Sequence, residues 1–117
     1  MSTFMNTNKR VVVQSIASDI SLQIDTATTV SFNIYERNQG TTISAIDYKL
    51  VKLDGRMVSL LQDWTSVSLI DIADGIYIFD ITATGVVVTD KLSLIFKVVD
   101  EDGIESFREI NNIKLIA

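Results

Sequence analysis

The stretch that decides the fold is Asp74-Gly75-Ile76-Tyr77-Ile78-Phe79-Asp80-Ile81, followed after a loop by Lys91-Leu92-Ser93-Leu94-Ile95-Phe96-Lys97-Val98-Val99 and then by Asp100-Glu101-Asp102-Gly103. Tyr77, Phe79 and Ile81 share one face if Asp80 meets water. Leu92, Leu94, Phe96 and Val98 share another if Ser93 and Lys97 point outward. A period of two belongs to a pleated strand rather than a helix. The Asp-Gly pairs are turn chemistry, because Asp closes local hydrogen-bonded turns and Gly takes positive φ without a steric penalty. Three strands punctuated by two Asp-Gly turns follow, the third over residues 104–109 after Gly103, with these apolar faces at the heart of a core.

The same pattern extends outward. Upstream, residues 29–36 alternate Val30, Phe32 and Ile34 against Ser31, Asn33 and Tyr35, and Asn38-Gln39-Gly40 ends the strand. Residues 43–53 direct Ile46, Tyr48 and Leu50 inward and stop at Asp54-Gly55, a hairpin signal from which residues 56–61 return antiparallel. Asp63-Trp64 is expected to open a loop, with alternation resuming over 65–72. Two short apolar segments, 10–16 and 20–24, flank Ala17-Ser18-Asp19, which suits a first strand that kinks or changes sheets. Val86, Val87 and Val88 lie in a connection too long for a tight hairpin and suited to crossing between sheets. Downstream, Phe107, Ile113 and Leu115 are expected to face the core, with an irregularity at Asn111-Asn112.

About eight strands with regular turn spacing predict an all-β chain folded as a single antiparallel β-sandwich of 7–9 strands. Composition agrees: Val, Ile and Thr supply 39 of the 117 residues, and β-branched side chains suit pleated sheet. Residues 1–9 read as a flexible arm and 10–117 as one domain.

Composition also removes chemistries. With no Cys and no His, disulfides, thiol catalysis and imidazole acid–base work are absent, and so are the usual zinc ligands. A net charge of −5 with scattered Lys and Arg argues against a nucleic-acid partner, since phosphate binding draws on clustered cations. No apolar run reaches membrane-spanning length, so no membrane partner is expected, and no signal-peptide core follows Lys9-Arg10. There is no Gly-x-Ser-x-Gly elbow, no phosphate loop and no base for the serines. The expectation is a protein that is not an enzyme and holds no cofactor.

The order Thr29-Val30-Ser31-Phe32-Asn33-Ile34, Tyr48-Lys49-Leu50 with Asp54-Gly55, Asp74-Gly75-Ile76-Tyr77, and Phe96-Lys97-Val98-Val99-Asp100-Glu101-Asp102-Gly103-Ile104-Glu105-Ser106 resembles the immunoglobulin-like and fibronectin-type-III-like modules of bacterial surface proteins and phage virions. In those modules a Gly-x-Tyr strand and a Val-x-Asp-x-x-Gly-x-x-Ser hairpin recur near the end. This chain departs from them in lacking an inter-sheet disulfide and any proline. The resemblance implies a virion location and an accessory role there, as capsid decoration, head fibre or baseplate component, with no activity of its own.

Candidate site residues fall into two groups. Asp100, Asp102 and Glu105, with Glu101, gather hard oxygen ligands of the kind calcium takes. Val98 stands where an EF-hand loop would need its first acid, so a solvated turn is the plainer reading and no metal is assigned. A carbohydrate platform on Trp64 or Tyr35 completes the rival reading of a calcium- or carbohydrate-binding surface module. The second group is an excess of apolar residues on faces that alternation turns outward: Ile70, Ile72, Ile76, Ile78, Ile95 and Val99, with Phe4 on the arm. Contiguous exposed apolar surface marks partner sites. The expected mode of action is therefore association with other protein chains of an assembly, virion proteins or further copies of itself.

Overall fold

The alternating segments form strands, which a computed structural model describes over residues 11–37, 42–69 and 75–117. They are β1 (Val11–Ser15), β2 (Ile20–Gln23), β3 (Thr28–Glu36), β4 (Ile43–Asp54), β5 (Met57–Ser66), β6 (Ile76–Ile81), β7 (Lys91–Asp100), β8 (Glu105–Ile110) and β9 (Ile113–Ile116), with no helix among the described residues. One sheet has the order β1-β3-β6 and the other β5-β4-β7-β8, every pairing in them antiparallel. The chain passes between the sheets from β3 to β4, from β5 to β6 and from β6 to β7. That division of strands is the immunoglobulin-like sandwich, the architecture expected from the sequence.

One pairing differs: β2 and β9 run parallel. Both are continuations past a kink. β1 leaves its sheet at residues 16–19, and β8 breaks at Asn111-Asn112 before β9. The kinks face each other, Asn112 Nδ2 donating to the Ser18 carbonyl at 2.7 Å and the Ile20 amide to the Asn112 carbonyl at 3.0 Å. These bonds satisfy polar backbone that the kinks release from the ladders and bring β2 beside β9.

The core lies where the two inner faces meet. Val30, Phe32, Ile34, Tyr77 and Ile81 come from the first sheet, and Ile46, Tyr48, Leu50, Leu92, Leu94, Phe96 and Val98 from the second, all buried. Its centre is aromatic. Phe32 meets Phe96 edge to face at 4.9 Å between ring centroids, and Tyr48 stacks on Phe79 at 4.7 Å, the offset and T-shaped geometries that ring quadrupoles favour. The Tyr48 hydroxyl donates to the Asp80 carbonyl across the sandwich at 3.3 Å and accepts from Gln62 Nε2 at 3.2 Å, so its polar tip is satisfied.

Three expectations are corrected by register. The β4–β5 turn consists of Gly55-Arg56, because Asp54 already pairs with Met57; Gly55, at φ 60°, occupies the first central position, where a type II′ turn places glycine. Asp63-Trp64 opens no loop: β5 runs through it. Phe107 is not in the core. Ser106 pairs with Val98 and faces inward, so Phe107, beside Lys97, faces out and is 51% exposed. The turn before β8 decides this, since a one-residue change of phase exchanges the two faces of a strand.

Arg108, on the inward-facing set of β8, closes the gap between the sheets. Its Nε donates to the Val11 carbonyl of β1 at 2.9 Å. Burial pulls its guanidinium below the usual value, and the neighbouring charge of Arg37 adds to this.

Candidate interaction surface

The outer face of the four-stranded sheet is built from cross-strand rows. Ser66, Asp47, Lys97 and Phe107 form one; Lys49, Ile95 and Glu109 the next; Leu60, Val51 and Ser93 the next; Val58, Leu53 and Lys91 the last. Polar partners hold the middle rows. Ser66 Oγ donates to Asp47 Oδ1 at 3.0 Å, Lys97 Nζ lies 3.8 Å from Asp47 Oδ2, and Ser93 Oγ donates to Glu109 Oε2. The Leu60 and Val58 rows carry no acidic side chain, and Lys91 is their only charge. Val51 is buried here, outside the main core cluster.

Trp64 belongs to this face. Register shifts between Tyr48 and Leu50 and between Leu50 and Val51 mean that β5 carries extra residues opposite a shorter run of β4. Such bulges bend a strand and redirect side chains. The Trp64 amide donates to Asp63 Oδ1 at 2.7 Å within this irregular segment. The indole has the ammonium groups of Lys49 and Lys97 at 4.7 and 5.0 Å from its centroid, and the Phe107 ring at 6.2 Å. It bridges four strands and is half-buried.

Of the apolar residues that the sequence assigned to an outer surface, the four described ones, Ile76, Ile78, Ile95 and Val99, point outward but do not form one surface. Ile76 and Ile78 pair with Asn33 and Ser31 on the outside of the β1-β3-β6 sheet, Ile76 half-buried and Ile78 39% exposed. Ile95 and Val99 lie on the opposite side of the molecule, on the outside of the second sheet, and both are half-buried. Phe4, Ile70 and Ile72 lie outside the described residues. The most exposed apolar residues of either sheet are ones that alternation had not singled out: Met57 at 69%, Val58 at 61% and Leu60 at 55%. All three sit on β5, an outermost strand. The signal was present in Arg56-Met57-Val58-Ser59-Leu60-Leu61 as a strand apolar on both faces.

The acidic turn has a structural use. Asp100 is buried, and its Oδ1 accepts from the amides of Asp102 at 2.9 Å and Ile104 at 3.0 Å. Asp102 and Glu105 are exposed, and no three carboxylates among the described residues converge in a way that could hold a metal ion. Two open clefts, of about 210 Å³ around Ile16, Ala17 and Ile20 and about 470 Å³ between Leu53, Leu92 and Ile113, include neither Trp64 nor Tyr35.

No protein-family model matches the chain, and no curated protein matches it in sequence. Solved structures match its fold. The superoxide reductase (neelaredoxin) of Ignicoccus hospitalis has a TM-score of 0.53 at 11% identity over 91% of this chain and 80% of that one, and a single-substitution variant of it reaches 0.57 over 96% and 86%. The sporulation control protein Spo0M of Bacillus subtilis gives 0.54 at 12% identity, covering 92% of this chain and 50% of that one. Murine CRIg gives 0.48 at 8% identity. The expectation that the chain is not an enzyme is corrected here: its sandwich is shared with superoxide reductase, so the fold does not exclude catalysis. At these identities the likeness is one of fold, and a fold hosts many functions.

Proposed function

We propose that the protein acts by protein–protein association within a multi-chain assembly, and that this assembly is a phage virion in which it serves as an accessory component of capsid, head fibre or baseplate. The observation that carries the reading is the uncovered apolar end of the four-stranded sheet, where Met57, Val58 and Leu60 are exposed on an outermost strand next to Leu53. Exposed apolar groups on one strand edge gain free energy when another chain covers them. The virion setting is supported by the resemblance of the strand and turn pattern to phage modules.

The test is sedimentation of the purified protein, alone over a range of concentrations and mixed with the proteins produced alongside it. A mass above that of the monomer in either condition is expected. A monomer at all concentrations that also binds none of those proteins overturns the reading.

A further inference from the structure

The two outermost strands of the four-stranded sheet are differently protected. β8 carries Glu105, Arg108 and Glu109, and charges along an edge oppose pairing with another chain. The segment Met57-Val58-Ser59-Leu60 of β5 carries no charge and no proline, and it precedes both register shifts. β6, an outermost strand of the other sheet, presents less exposed apolar surface.

The segment is complementary to itself. Val58 and Leu60 pair with Leu53 and Val51 and face outward; Ser59 pairs with Lys52 and Met57 with Asp54, on the other face; Leu61 packs against the core. A two-fold axis through Ser59 sets β5 antiparallel to the β5 of a second copy, with Val58 opposite Leu60, Met57 opposite Leu61 and Ser59 opposite its own equivalent. Apolar residues then meet apolar residues on both faces. Neighbouring registers fail. Centring on Leu60 would set Val58 against Gln62, which the shift at Leu61 turns to the other face, and centring on Val58 would set Leu60 against Arg56. In the register centred on Ser59, Arg56 instead falls opposite Gln62 of the second copy, so polar side chains close both ends of the apolar strip.

We infer that a second copy of this chain docks on residues 57–61 of β5, joining two four-stranded sheets into one of eight strands through an isologous contact. This rests on the association reading and names the partner of that surface.

Because the chain has no cysteine, Ser59→Cys introduces a single thiol. Opposite residues of an antiparallel pair have Cα atoms about 4.5–5.5 Å apart, within the span of a disulfide. Mild oxidation of the full chain is expected to link most of the Ser59→Cys protein as dimer, while Ser21→Cys, at an exposed position of β2, stays largely monomeric. Val58→Lys and Leu60→Glu are each expected to weaken the dimer at least tenfold by sedimentation, with unchanged circular dichroism. An equimolar mixture of the two should restore it, since the new lysine of one copy then faces the new glutamate of the other while Leu60 and Val58 still meet. Association that is indifferent to Val58→Lys, without cross-linking through position 59, overturns this inference and leaves the association reading standing. A wild-type chain that is monomeric throughout also overturns it, and binding to other proteins then decides the association reading separately.

Discussion

The carboxylate of Asp100 accepts two amides of its own turn, and the Gly103 amide donates to the Asp100 carbonyl at 3.0 Å. One side chain thus closes the β7–β8 hairpin and sets the phase of β8, which determines that Ser106 points in and Phe107 out. Asp100→Ala leaves two amides of the turn without their acceptor and is expected to cost about 1–3 kcal/mol. Asp100→Asn keeps an oxygen in place and is expected to lose less. Urea denaturation of the two variants checks this. Equal losses would show that the charge matters and the hydrogen-bond geometry does not. Gly75 is constrained in another way: at φ 83°, a Cβ there would lie 3.1 Å from the Ile34 carbonyl oxygen, so the Asp-Gly signal before β6 marks a close backbone approach as well as a turn.

Among the strands, β5 is where alternation misleads. Its two register shifts take Trp64 out of the expected loop and lay it across Lys49, Lys97 and Phe107. A lysine over an indole contributes about 0.5–1 kcal/mol when partly exposed. A double-mutant cycle between Trp64→Leu and Lys49→Met is expected to show coupling of about that size by equilibrium denaturation. No coupling would mean that the ammonium does not sit on the ring in solution. Lys97 suits the cycle less well, because it also neighbours Asp47 and the two interactions would not separate.

Over the whole molecule, the two sheets are joined by aromatic packing at the centre and by specific bonds at the sides: Tyr48 to Asp80, Asn112 to Ser18 and Arg108 to Val11. Arg108 is the only charged residue among these donors. A hydrogen bond from a charged donor contributes about 1.5–3 kcal/mol, and Arg108→Ala is expected to destabilise by an amount in that range and to speed amide hydrogen exchange along β1. Arg108→Lys is expected to recover little, because an ammonium cannot reproduce the Nε geometry at the Val11 carbonyl. Unchanged exchange in β1 would show that the sheets hold together there without it.

Period-two alternation with Asp-Gly turns was enough to determine an all-β sandwich, its aromatic core from Phe32, Tyr48, Phe79 and Phe96, the kinks at 17–19 and 111–112, and the crossing loop around Val86, because each depends on local side-chain phase and backbone freedom. The division of Ile76 and Ile78 from Ile95 and Val99, the outward turn of Phe107, the placement of Trp64 and the degree to which Met57, Val58 and Leu60 are exposed were decided only in the tertiary structure. The physical reason is that these depend on which strand lies beside which, and on extra residues whose effect appears only against a partner strand. The stretch from Gly75 to Gly103 still supplies Tyr77, Ile81, Leu92, Leu94, Phe96 and Val98 to the core, but the most exposed apolar residues of the two sheets lie on β5, outside it.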